Sequence, residues 1–485
     1  MQLLFLSPEV VPFAKTGGLA DVAGALPGAM KRLGVDVRVV LPLYRAVQDA
    51  PFELRPLDAL LEVPLGSERL SARILTTRTD DGVPVYLIER EDMYDRPSLY
   101  GNAWGDYYDN LERYTFYAQA ALRLAETLRF DPDLIHCHDW QTGLVPALIK
   151  GPYRDSPLLG GTPTVFTIHN IGYQGLFPAA KLAVTGLPAV DFFHLEGLEY
   201  YGNLCLLKSG IVYSEAVTTV SPTYSREILS AEYGRGMEGI LNKRADRLYG
   251  ILNGVDYRLW DPAADPHIPR NYSPEKLEGK AEGKQALMKE MGLDPALKDK
   301  PLLGMISRLD TQKGLDLVVE ILDRLFDLDA GLVILGTGEE GSQNALREGL
   351  ERHTGNMGLV LGFDEPLAHR ILAGADIFLI PSQYEPCGLT QMYALRYGTV
   401  PVVRATGGLE DTISPFDPAG STGNGFKFRP YRSEAFWGEI KKAVDLFQDK
   451  AAWKRLMVRG MAADFSWDRS AQAYLDLFRK ILGLA

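Results

Sequence analysis

The chain has few cysteines, no long apolar run and no excess of positive charge. Its 485 residues include only three cysteines, the widely separated Cys137, Cys205 and Cys387. An odd, scattered set of thiols fits neither a disulfide framework nor a zinc ribbon, so we expect reduced thiols. No stretch approaches the roughly 18 apolar residues of a membrane helix. The apolar start lacks a basic leader and reads as a buried strand rather than a signal peptide, which predicts a cytoplasmic protein.

Acidic residues outnumber basic ones, 63 against 51, giving a formal net charge of −12. This balance argues against a general affinity for nucleic acid or for an anionic membrane, so local charges must hold any anionic ligand. Low-complexity segments and arrays of short repeats are also lacking. The hydrophobic content of 46% is ordinary for a soluble globular protein. The length favours two domains of roughly 200 to 250 residues each.

Short apolar runs with strand character alternate with helical stretches in both halves of the chain. In the first half they are Met1 to Leu6, Val35 to Leu41, Val83 to Ile88, Leu134 to Cys137, Thr164 to Ile168, Ala216 to Val220 and Leu248 to Leu252. In the second half they are Leu302 to Ile306, Leu332 to Leu335, Leu359 to Leu361, Ile377 to Ile380 and Val400 to Val403. The alternation predicts an α/β protein with two doubly wound, mostly parallel sheets covered by helices on both faces.

A polar, proline-containing stretch between the two sets of strands suits a linker. We therefore place an N-terminal domain at residues 1–253 and a C-terminal domain at residues 254–465. From Ser466 onward, the apolar spacing predicts a capped amphipathic helix over residues 466–485.

One glycine phrase occurs twice, as Thr16-Gly17-Gly18-Leu19-Ala20-Asp21 and as Thr406-Gly407-Gly408-Leu409-Glu410-Asp411. Each copy follows a predicted strand and precedes a predicted helix. Glycines allow close approach of a ligand, and the N–H groups of a helix start attract phosphate. Lys15 adds a fixed positive charge to the first copy. The pair suggests a partly anionic ligand held between two domains, although such phrases also occur as plain turns.

Phosphate-binding residues are expected where parallel strands end. Arg308 and Lys313 flank such a strand end and, with Lys15, provide three candidate cations for a diphosphate. The Gly336 to Gly341 segment matches the GxGxxG pattern of dinucleotide-binding proteins. Its two glutamates would repel a pyrophosphate, and the next strand ends later than the pattern requires, so we do not assign it to a dinucleotide.

Polar groups also end two strands of the first half. His136 and His138 alternate onto one strand face, which raises the question of a metal site, but no third ligand is evident. Asp139 ends that strand, and His169 ends the next one; Asp21 is placed similarly. A lone histidine at such a position is often structural.

The strongest local phrase runs from Tyr384 to Thr390 and reads Tyr-Glu-Pro-Cys-Gly-Leu-Thr. Pro386 stiffens a turn, Gly388 and the following N–H groups open a helix that can receive phosphate, and Glu385 offers a carboxylate beside them. A buried carboxylate next to phosphate is costly unless it contacts sugar hydroxyls or a developing positive charge.

Together, these motifs resemble those of the bacterial glycogen synthase and plant starch synthase family in order and spacing over nearly the whole chain. They are Lys15 to Asp21, His138-Asp139-Trp140, Thr167 to Asn170, Asn253 to Asp256, Arg308 with Lys313, and Glu385 to Thr390. The resemblance implies the GT-B architecture, with two Rossmann-like domains facing across a deep cleft and the C-terminal helix packing back on the first. It also implies retaining transfer of glucose from ADP-glucose to the non-reducing end of an α-1,4-glucan, without metal or other cofactor.

The resemblance also implies roles for individual residues. Diphosphate contacts would come from Lys15, Gly18, Arg308, Lys313 and the N–H groups of Leu389 and Thr390. Glu385 and His169 would hold the glucosyl hydroxyls, with Asp139 and Asp21 nearby and Asn253 in an interdomain part of the site. Tyr384, Cys387 and Gly388 would line the same loop, and Tyr94 would contact the acceptor. The catalytic set is Glu385, His169 and Asp139.

The sequence departs from related proteins at two points. Tyr393 stands eight positions after Glu385, where the wider class of retaining transferases often has a second glutamate, and Phe363 replaces a tyrosine that many relatives place near adenine. A nucleotide-sugar epimerase and an inactive glucan-binding scaffold are the alternatives. A phosphorylase would need a lysine that holds pyridoxal phosphate, and the sequence has no matching motif. ADP-glucose and α-1,4-glucan are the predicted partners, and the motifs do not specify an oligomeric state.

Overall fold

The computed structural model describes residues 1–102, 104–417 and 422–484. It divides into two compact units: unit 1 is Met1–Gly254 together with the segment from Trp467 onward, and unit 2 is Val255–Ser466. The sequence placed these boundaries after residues 253 and 465. Ala103, within the segment from Tyr94 to Asp109 where the sequence predicts acceptor contacts, and Ala485, the last residue of the predicted C-terminal helix, lie outside the described residues.

The strands of the described residues are β1 (Gln2–Leu6), β2 (Asp36–Pro42), β3 (Arg55–Leu65), β4 (Glu68–Arg78), β5 (Pro84–Glu89), β6 (Gly101–Asn102), β7 (Gly105–Asp106), β8 (Leu134–His138), β9 (Thr164–Ile168), β10 (Leu176–Pro178), β11 (Glu199–Tyr200), β12 (Asn203–Cys205), β13 (Ala216–Thr219), β14 (Leu248–Gly250), β15 (Leu302–Leu309), β16 (Gly331–Gly338), β17 (Met357–Leu361), β18 (Ile377–Ile380), β19 (Val400–Arg404) and β20 (Phe426–Phe428).

The α-helices are α1 (Gly18–Arg32), α2 (Arg45–Gln48), α3 (Glu91–Tyr94), α4 (Asn110–Thr127), α5 (Val145–Lys150), α6 (Ala189–Phe192), α7 (Leu206–Tyr213), α8 (Pro222–Glu227), α9 (Glu238–Lys243), α10 (Glu278–Glu290), α11 (Leu315–Phe326), α12 (Glu340–Arg352), α13 (Glu365–Gly374), α14 (Thr390–Arg396), α15 (Gly407–Thr412), α16 (Ser433–Phe447), α17 (Lys450–Met461) and α18 (Trp467–Ile481). No helix in the described part of the chain is long and apolar enough to span a membrane.

The main sheet of unit 1 has the strand order β14-β13-β9-β8-β1-β2-β5-β4-β3. From β14 to β5 all neighbouring strands pair in parallel, whereas β3, β4 and β5 pair antiparallel. Because the chain leaves β1 first toward β2 and later returns to β8 on its other side, the order reverses between β1 and β8. In open parallel sheets, such a reversal point opens a ligand crevice at the carboxyl ends of the strands.

The sheet of unit 2 has the order β17-β16-β15-β18-β19-β20 and is parallel throughout. This is the strand order of the doubly wound dinucleotide-binding fold, with its reversal between β15 and β18. Buried aliphatic residues on β15 and β16 pack against the amphipathic α11 and α16, because apolar residues recur on one face of each helix.

The GxGxxG segment supports packing between these two strands. A Cβ on Gly336 would overlap the backbone oxygen of Ser307, and one on Gly338 would overlap that of Leu309. Both glycines therefore allow β16 to run close beside β15, which explains the pattern without a bound dinucleotide.

Helix α18 completes unit 1. Its Tyr474 and Phe478 are fully buried and lie against the His136 ring of β8, with centroid distances of 5.4 Å each. Ser470 donates a hydrogen bond to the carbonyl of Leu252 at 2.6 Å, and Arg32 of α1 pairs with Asp468 at 2.7 Å. Helix α18 therefore packs against the main sheet at β8.

Candidate active site

The carboxyl ends of β1, β8 and β9 bring together several predicted residues of unit 1. The loop after β1 carries Lys15 and Gly18, Asp139 directly follows β8, and His169 directly follows β9. Since β1 and β8 flank the reversal point of the sheet, these loops occupy the position where such folds bind ligands.

Glu9, which the sequence analysis did not single out, organises the glycine loop. It is buried, and its carboxylate accepts hydrogen bonds from Thr16 N (2.5 Å), Thr16 Oγ1 (2.6 Å), Gly17 N (3.2 Å) and the hydroxyl of Tyr100 (2.6 Å). A carboxylate can accept several bonds at once, so Glu9 fixes this loop relative to Tyr100. Its local signal was weak, because a glutamate after a strand resembles any solvated loop residue.

The first glycine phrase is open on one side. A Cβ on Gly17 would meet no atom within 4 Å, and residues Lys15 to Gly18 are exposed. The Lys15 ammonium pairs with Asp21 at 2.7 Å. Asp21 therefore orients the cation of this loop at the start of α1.

Asp139 adopts a strained backbone conformation, with φ 56° and ψ 179°. This region is populated almost only by glycine and costs other residues about 1–3 kcal/mol, so it tends to occur at functional sites. The carboxylate accepts a hydrogen bond from His169 N at 2.8 Å. Burial, with a smaller contribution from the charge of Glu9, raises the pKa of Asp139 to about 7, although N–H donors from His169 and Asn170 oppose the rise.

His169 lies beside a second buried histidine. Its Nε2 is 2.9 Å from Nδ1 of His138. Burial lowers the pKa of His169 to about 3 and that of His138 well below its ordinary value. Both rings are therefore neutral near physiological pH, and His169 acts through hydrogen bonds rather than as a cation.

In unit 2, the carboxyl end of β15 carries the two predicted cations. The Arg308 guanidinium pairs with Asp310 at 3.0 Å and donates to Gln312 Oε1 at 2.9 Å. Asp310 also caps the short turn that follows, accepting a hydrogen bond from Lys313 N at 3.0 Å. Asp310 therefore holds both cationic residues in place.

Glu385 lies after β18, on the other side of the reversal point. It is only 7% exposed, and its Oε2 accepts from Lys313 Nζ at 2.6 Å and from Ser382 Oγ at 3.0 Å. The carboxylate is thus paired and hydrogen-bonded, which a buried charge requires. The structure joins Glu385 and Lys313 directly; Ser382 was not foreseen from the sequence.

The second glycine phrase packs against the Glu385 loop. Gly407 and Gly408 are buried, and a Cβ on either would overlap the backbone oxygen of Glu385 or Cys387. Gly408 N lies 3.2 Å from the backbone oxygens of Glu385 and Pro386. This copy therefore supports the Glu385 loop from beneath.

The remaining predicted residues of the loop follow Glu385. Tyr384 is half-buried and Cys387 is buried, while Gly388 has φ 67°, a conformation that favours glycine. Leu389 and Thr390 begin the short α14. The tight turn at Gly388 brings the backbone into this helix start.

Tyr94 is not placed to contact the acceptor, contrary to the expectation from the sequence. Its side chain has no exposed surface, and its hydroxyl donates a hydrogen bond to the backbone oxygen of Arg113 at 2.7 Å. It is therefore a core residue.

Asn253, near the end of the first segment of unit 1, is buried, and among the described residues its Oδ1 has no hydrogen-bond partner. Such an oxygen is available to a ligand.

Within the described ranges, no group of three or more His, Cys, Asp or Glu side chains is arranged to hold a metal ion. His136 instead bonds Thr167 Oγ1 at 2.7 Å.

Comparison with known proteins supports one family over the whole chain. Residues 2–243 match the family model of the starch synthase catalytic domain, and residues 294–455 match that of glycosyl transferases group 1. The chain is 47% identical over 482 residues to a glycogen synthase of Geotalea daltonii, covering 99% of each chain. It is 48% identical over 482 residues to one of an Anaeromyxobacter species, again covering 99% of each.

A solved structure agrees with these relatives. The catalytic domain of starch synthase IV from Arabidopsis thaliana, bound to ADP and acarbose, superposes with a TM-score of 0.92 at 34% identity, covering 99% of both chains. Full-length similarity in sequence and fold shows that the chain is a glycosyltransferase with the GT-B fold that belongs to the glycogen and starch synthase family.

Proposed function

We propose that this chain transfers glucose from ADP-glucose to the non-reducing end of an α-1,4-glucan in the cytoplasm, with retention of configuration and without metal or other cofactor. The observation that carries the proposal is the match, over 99% of both chains, to a starch synthase catalytic domain bound to ADP and acarbose. The 47% identity to a glycogen synthase supports the same reaction.

The diphosphate requires cations and N–H donors. In unit 2, Arg308 lies at the end of β15 and Lys313 follows that strand, next to the reversal point, and the N–H groups of Leu389 and Thr390 begin α14. In unit 1, we assign Lys15 and Gly18 to the diphosphate because their loop is exposed. Fixed cations of this kind stabilise the negative charge that develops on a departing ADP.

Lys313 also explains how a carboxylate can lie in a phosphate-binding loop. Its ammonium is 2.6 Å from Glu385 and neutralises that charge. Without the lysine, Glu385 would repel a diphosphate and would itself be buried unpaired. Lys313 thus serves both the donor phosphate and the sugar-binding carboxylate in this proposal.

Glu385 and His169 would hold hydroxyls of the glucosyl group, with Asp139, Asp21 and Asn253 supporting the sugar side of the site. We propose front-face attack by the acceptor through an oxocarbenium-like state, in which Glu385 offsets positive charge on the ring. The half-buried Tyr384, together with Cys387 and Gly388, would shape the loop around that carboxylate.

Phe363 is the proposed adenine contact. It follows β17 at the carboxyl edge of the unit 2 sheet, and 81% of its surface is exposed. An exposed aromatic ring at this edge offers a face for base stacking. Phe363→Ala should raise KM for ADP-glucose while kcat at saturating donor changes little; an unchanged KM would remove this assignment.

Trp104 and Tyr108 replace Tyr94 as proposed acceptor contacts. They are 94% and 87% exposed; Trp104 lies between β6 and β7, and Tyr108 follows β7, in the segment that includes Tyr100 and its bond to Glu9. Exposed aromatic rings pack well against sugar rings, as they have a flat apolar face. Trp104→Ala should raise KM for glycogen and leave KM for ADP-glucose unchanged; the reverse pattern would argue against an acceptor role.

Labelled-glucose transfer onto glycogen tests the reaction, with ADP-glucose and UDP-glucose supplied in parallel. We expect polymer labelling mainly from ADP-glucose, and its loss in Lys15→Ala. A new nucleotide sugar without polymer would indicate an epimerase instead. Glycogen binding without turnover of either donor would indicate a scaffold.

Glu385→Gln tests the role of the carboxylate. It keeps the shape and removes the charge, so kcat should fall by about 100-fold or more while ADP-glucose binding changes little. Equal losses in turnover and binding would contradict charge stabilisation by Glu385.

A further inference from the structure

Three buried histidines lie together under the unit 1 site. His136 and His138 are on β8, and His169 follows the adjacent β9. His138 has no exposed surface, and its ring centroid lies 4.3 Å from that of Phe5 and 4.1 Å from that of His136. His138 is therefore too deep to touch a substrate, and its effect must pass through His169.

The contact between His138 and His169 joins Nδ1 of the first to Nε2 of the second at 2.9 Å. The other ring nitrogen of His138, Nε2, is buried and has no hydrogen-bond partner within the described residues. Because both rings are neutral, one nitrogen in the pair carries the hydrogen and the other accepts it.

The two possible assignments differ in what they leave buried. If His169 Nε2 donates, His138 Nε2 must carry an N–H with no acceptor. If His138 Nδ1 donates, His138 Nε2 is only a bare lone pair. Among backbone groups, orphaned buried N–H donors are rarer than under-satisfied carbonyl acceptors, and the same preference applied to the imidazole favours the second assignment.

The neighbouring aromatic rings do not provide an acceptor for the His138 N–H that the first assignment requires. An imidazole N–H lies in the ring plane, so it would meet the face of another ring only in a nearly perpendicular arrangement. The His138 ring is inclined by 37° to Phe5 and by 44° to His136. Neither geometry offers an aromatic face to an N–H at Nε2.

We propose that His138 is a positioning residue that holds His169 as its Nδ1–H tautomer, so that His169 presents an N–H donor to a hydroxyl oxygen of the sugar. The identity of the ligand rests on the proposed function; the tautomer does not. A sugar hydroxyl at this point must then accept a hydrogen bond, which the opposite tautomer could not donate.

The tautomer can be read directly from ¹⁵N spectra of the enzyme labelled in its seven histidines. Protonated and bare imidazole nitrogens have well-separated ¹⁵N shifts, and rings that stay neutral at pH 5.5 identify the buried set. We expect Nδ1 protonated and Nε2 bare for both His138 and His169, assigned with His138→Asn and His169→Asn. A protonated Nε2 on His169 would overturn the proposal, whether or not the enzyme transfers glucose.

Two variants of His138 separate positioning from packing. Asparagine places an amide N–H near the position of Nδ1, whereas leucine fills space without a donor. We expect His138→Leu to move His169 toward Nε2–H and to lower kcat about tenfold, with the His138→Asn variant close to the wild type. His136→Asn, which alters the neighbouring histidine bonded to Thr167, should leave the His169 tautomer unchanged.

The outcomes distinguish this inference from the proposed function. Folding of each variant is checked by circular dichroism and thermal unfolding. A wild-type spectrum with the expected tautomer but no glucose transfer would leave the positioning role intact and remove its proposed ligand. Equal loss of kcat in folded His138→Leu and His138→Asn variants, with no change in the His169 signals, would contradict the positioning role.

Discussion

The buried carboxylate of Glu385 is charge-paired with one cation. Lys313 is 2.6 Å away, and Ser382 supplies the other hydrogen bond to the same oxygen. Truncating one member of a buried pair leaves an uncompensated charge and costs more than replacing both members. Variants of this pair can therefore separate the effect of the carboxylate on stability from its proposed role in catalysis.

We predict that Lys313→Met lowers the free energy of unfolding by about 3 kcal/mol and that the double variant Lys313→Met, Glu385→Gln recovers most of this loss. Neither variant should transfer glucose, because both lack the cation that we propose to face the diphosphate. Denaturant unfolding and the transfer assay give the two readouts. A double variant no more stable than Lys313→Met would show that the ion pair does not account for the loss.

Asp139 should give unfolding a pH dependence of known sign. Burial raises its native pKa from 3.8 to about 7. Between these values the native state keeps a proton that the unfolded chain has released, so the stabilising contribution is complete below pH 3.8 and is lost as pH rises through 7.

Relative to Asp139→Asn, the wild type should therefore lose roughly 3 kcal/mol of unfolding free energy between pH 5 and pH 8. Comparing the two proteins at each pH cancels the other titrating groups. A difference that stays constant, or that grows in favour of the wild type as pH rises, would contradict a raised pKa at Asp139.

At the scale of elements, the loop after β18 is fixed by packing against the start of α15. Gly408 approaches the backbone of Cys387 so closely that a Cβ would overlap its carbonyl. Any side chain at this position must displace the segment that carries Glu385. The constraint is steric and independent of ligand.

Gly408→Ala should therefore lower kcat by at least tenfold and reduce the thermal unfolding temperature by several degrees, because misplaced catalytic groups and backbone strain both follow from one methyl group. Gly341→Ala is the matched control, since a Cβ there meets no atom within 4 Å and alanine favours α12. Normal activity in Gly408→Ala would show that the Glu385 loop tolerates displacement.

Strand positions were more predictable than functional contacts. Buried parallel strands such as β9 (Thr164–Ile168) and β18 (Ile377–Ile380) have the predicted bounds, because continuous apolar runs mark them clearly. The antiparallel β3 and β4 were missed: their alternating, partly exposed faces give a weaker signal, and no buried run marks them.

The candidate site was predictable only in part. The sequence placed Glu385 and Lys313 after predicted strands, and their contact across 72 positions is a product of the β15–β18 reversal. Glu9 could not be found, since its importance comes from donors that the fold gathers around it. Tyr94 was misassigned because the burial of this aromatic residue at the end of the short α3 depends on long-range packing with α4.

At the scale of the whole molecule, the last helix of the chain completes the first unit. Phe478 of α18 is fully buried against the His136 ring, although 342 positions separate them. Unit 1 is therefore discontinuous in sequence, and its stability depends on residues that follow unit 2 along the chain.

Phe478→Ala should lower the unfolding free energy of unit 1 by about 3–5 kcal/mol, through lost burial and the resulting cavity. Leu484→Ala, at a site that is largely exposed, serves as the control and should have little effect. Thermal unfolding followed by circular dichroism measures both. Equal stability of the two variants would contradict a core role for α18.

The most direct test of the proposed reaction is the position and linkage of transferred glucose. Glycogen is incubated with the enzyme and labelled ADP-glucose, purified, and digested with β-amylase, which releases maltose from non-reducing α-1,4-linked ends. Nearly all polymer-bound label should be released as maltose. Label that stays in the polymer after digestion would contradict retaining α-1,4 transfer to the non-reducing end.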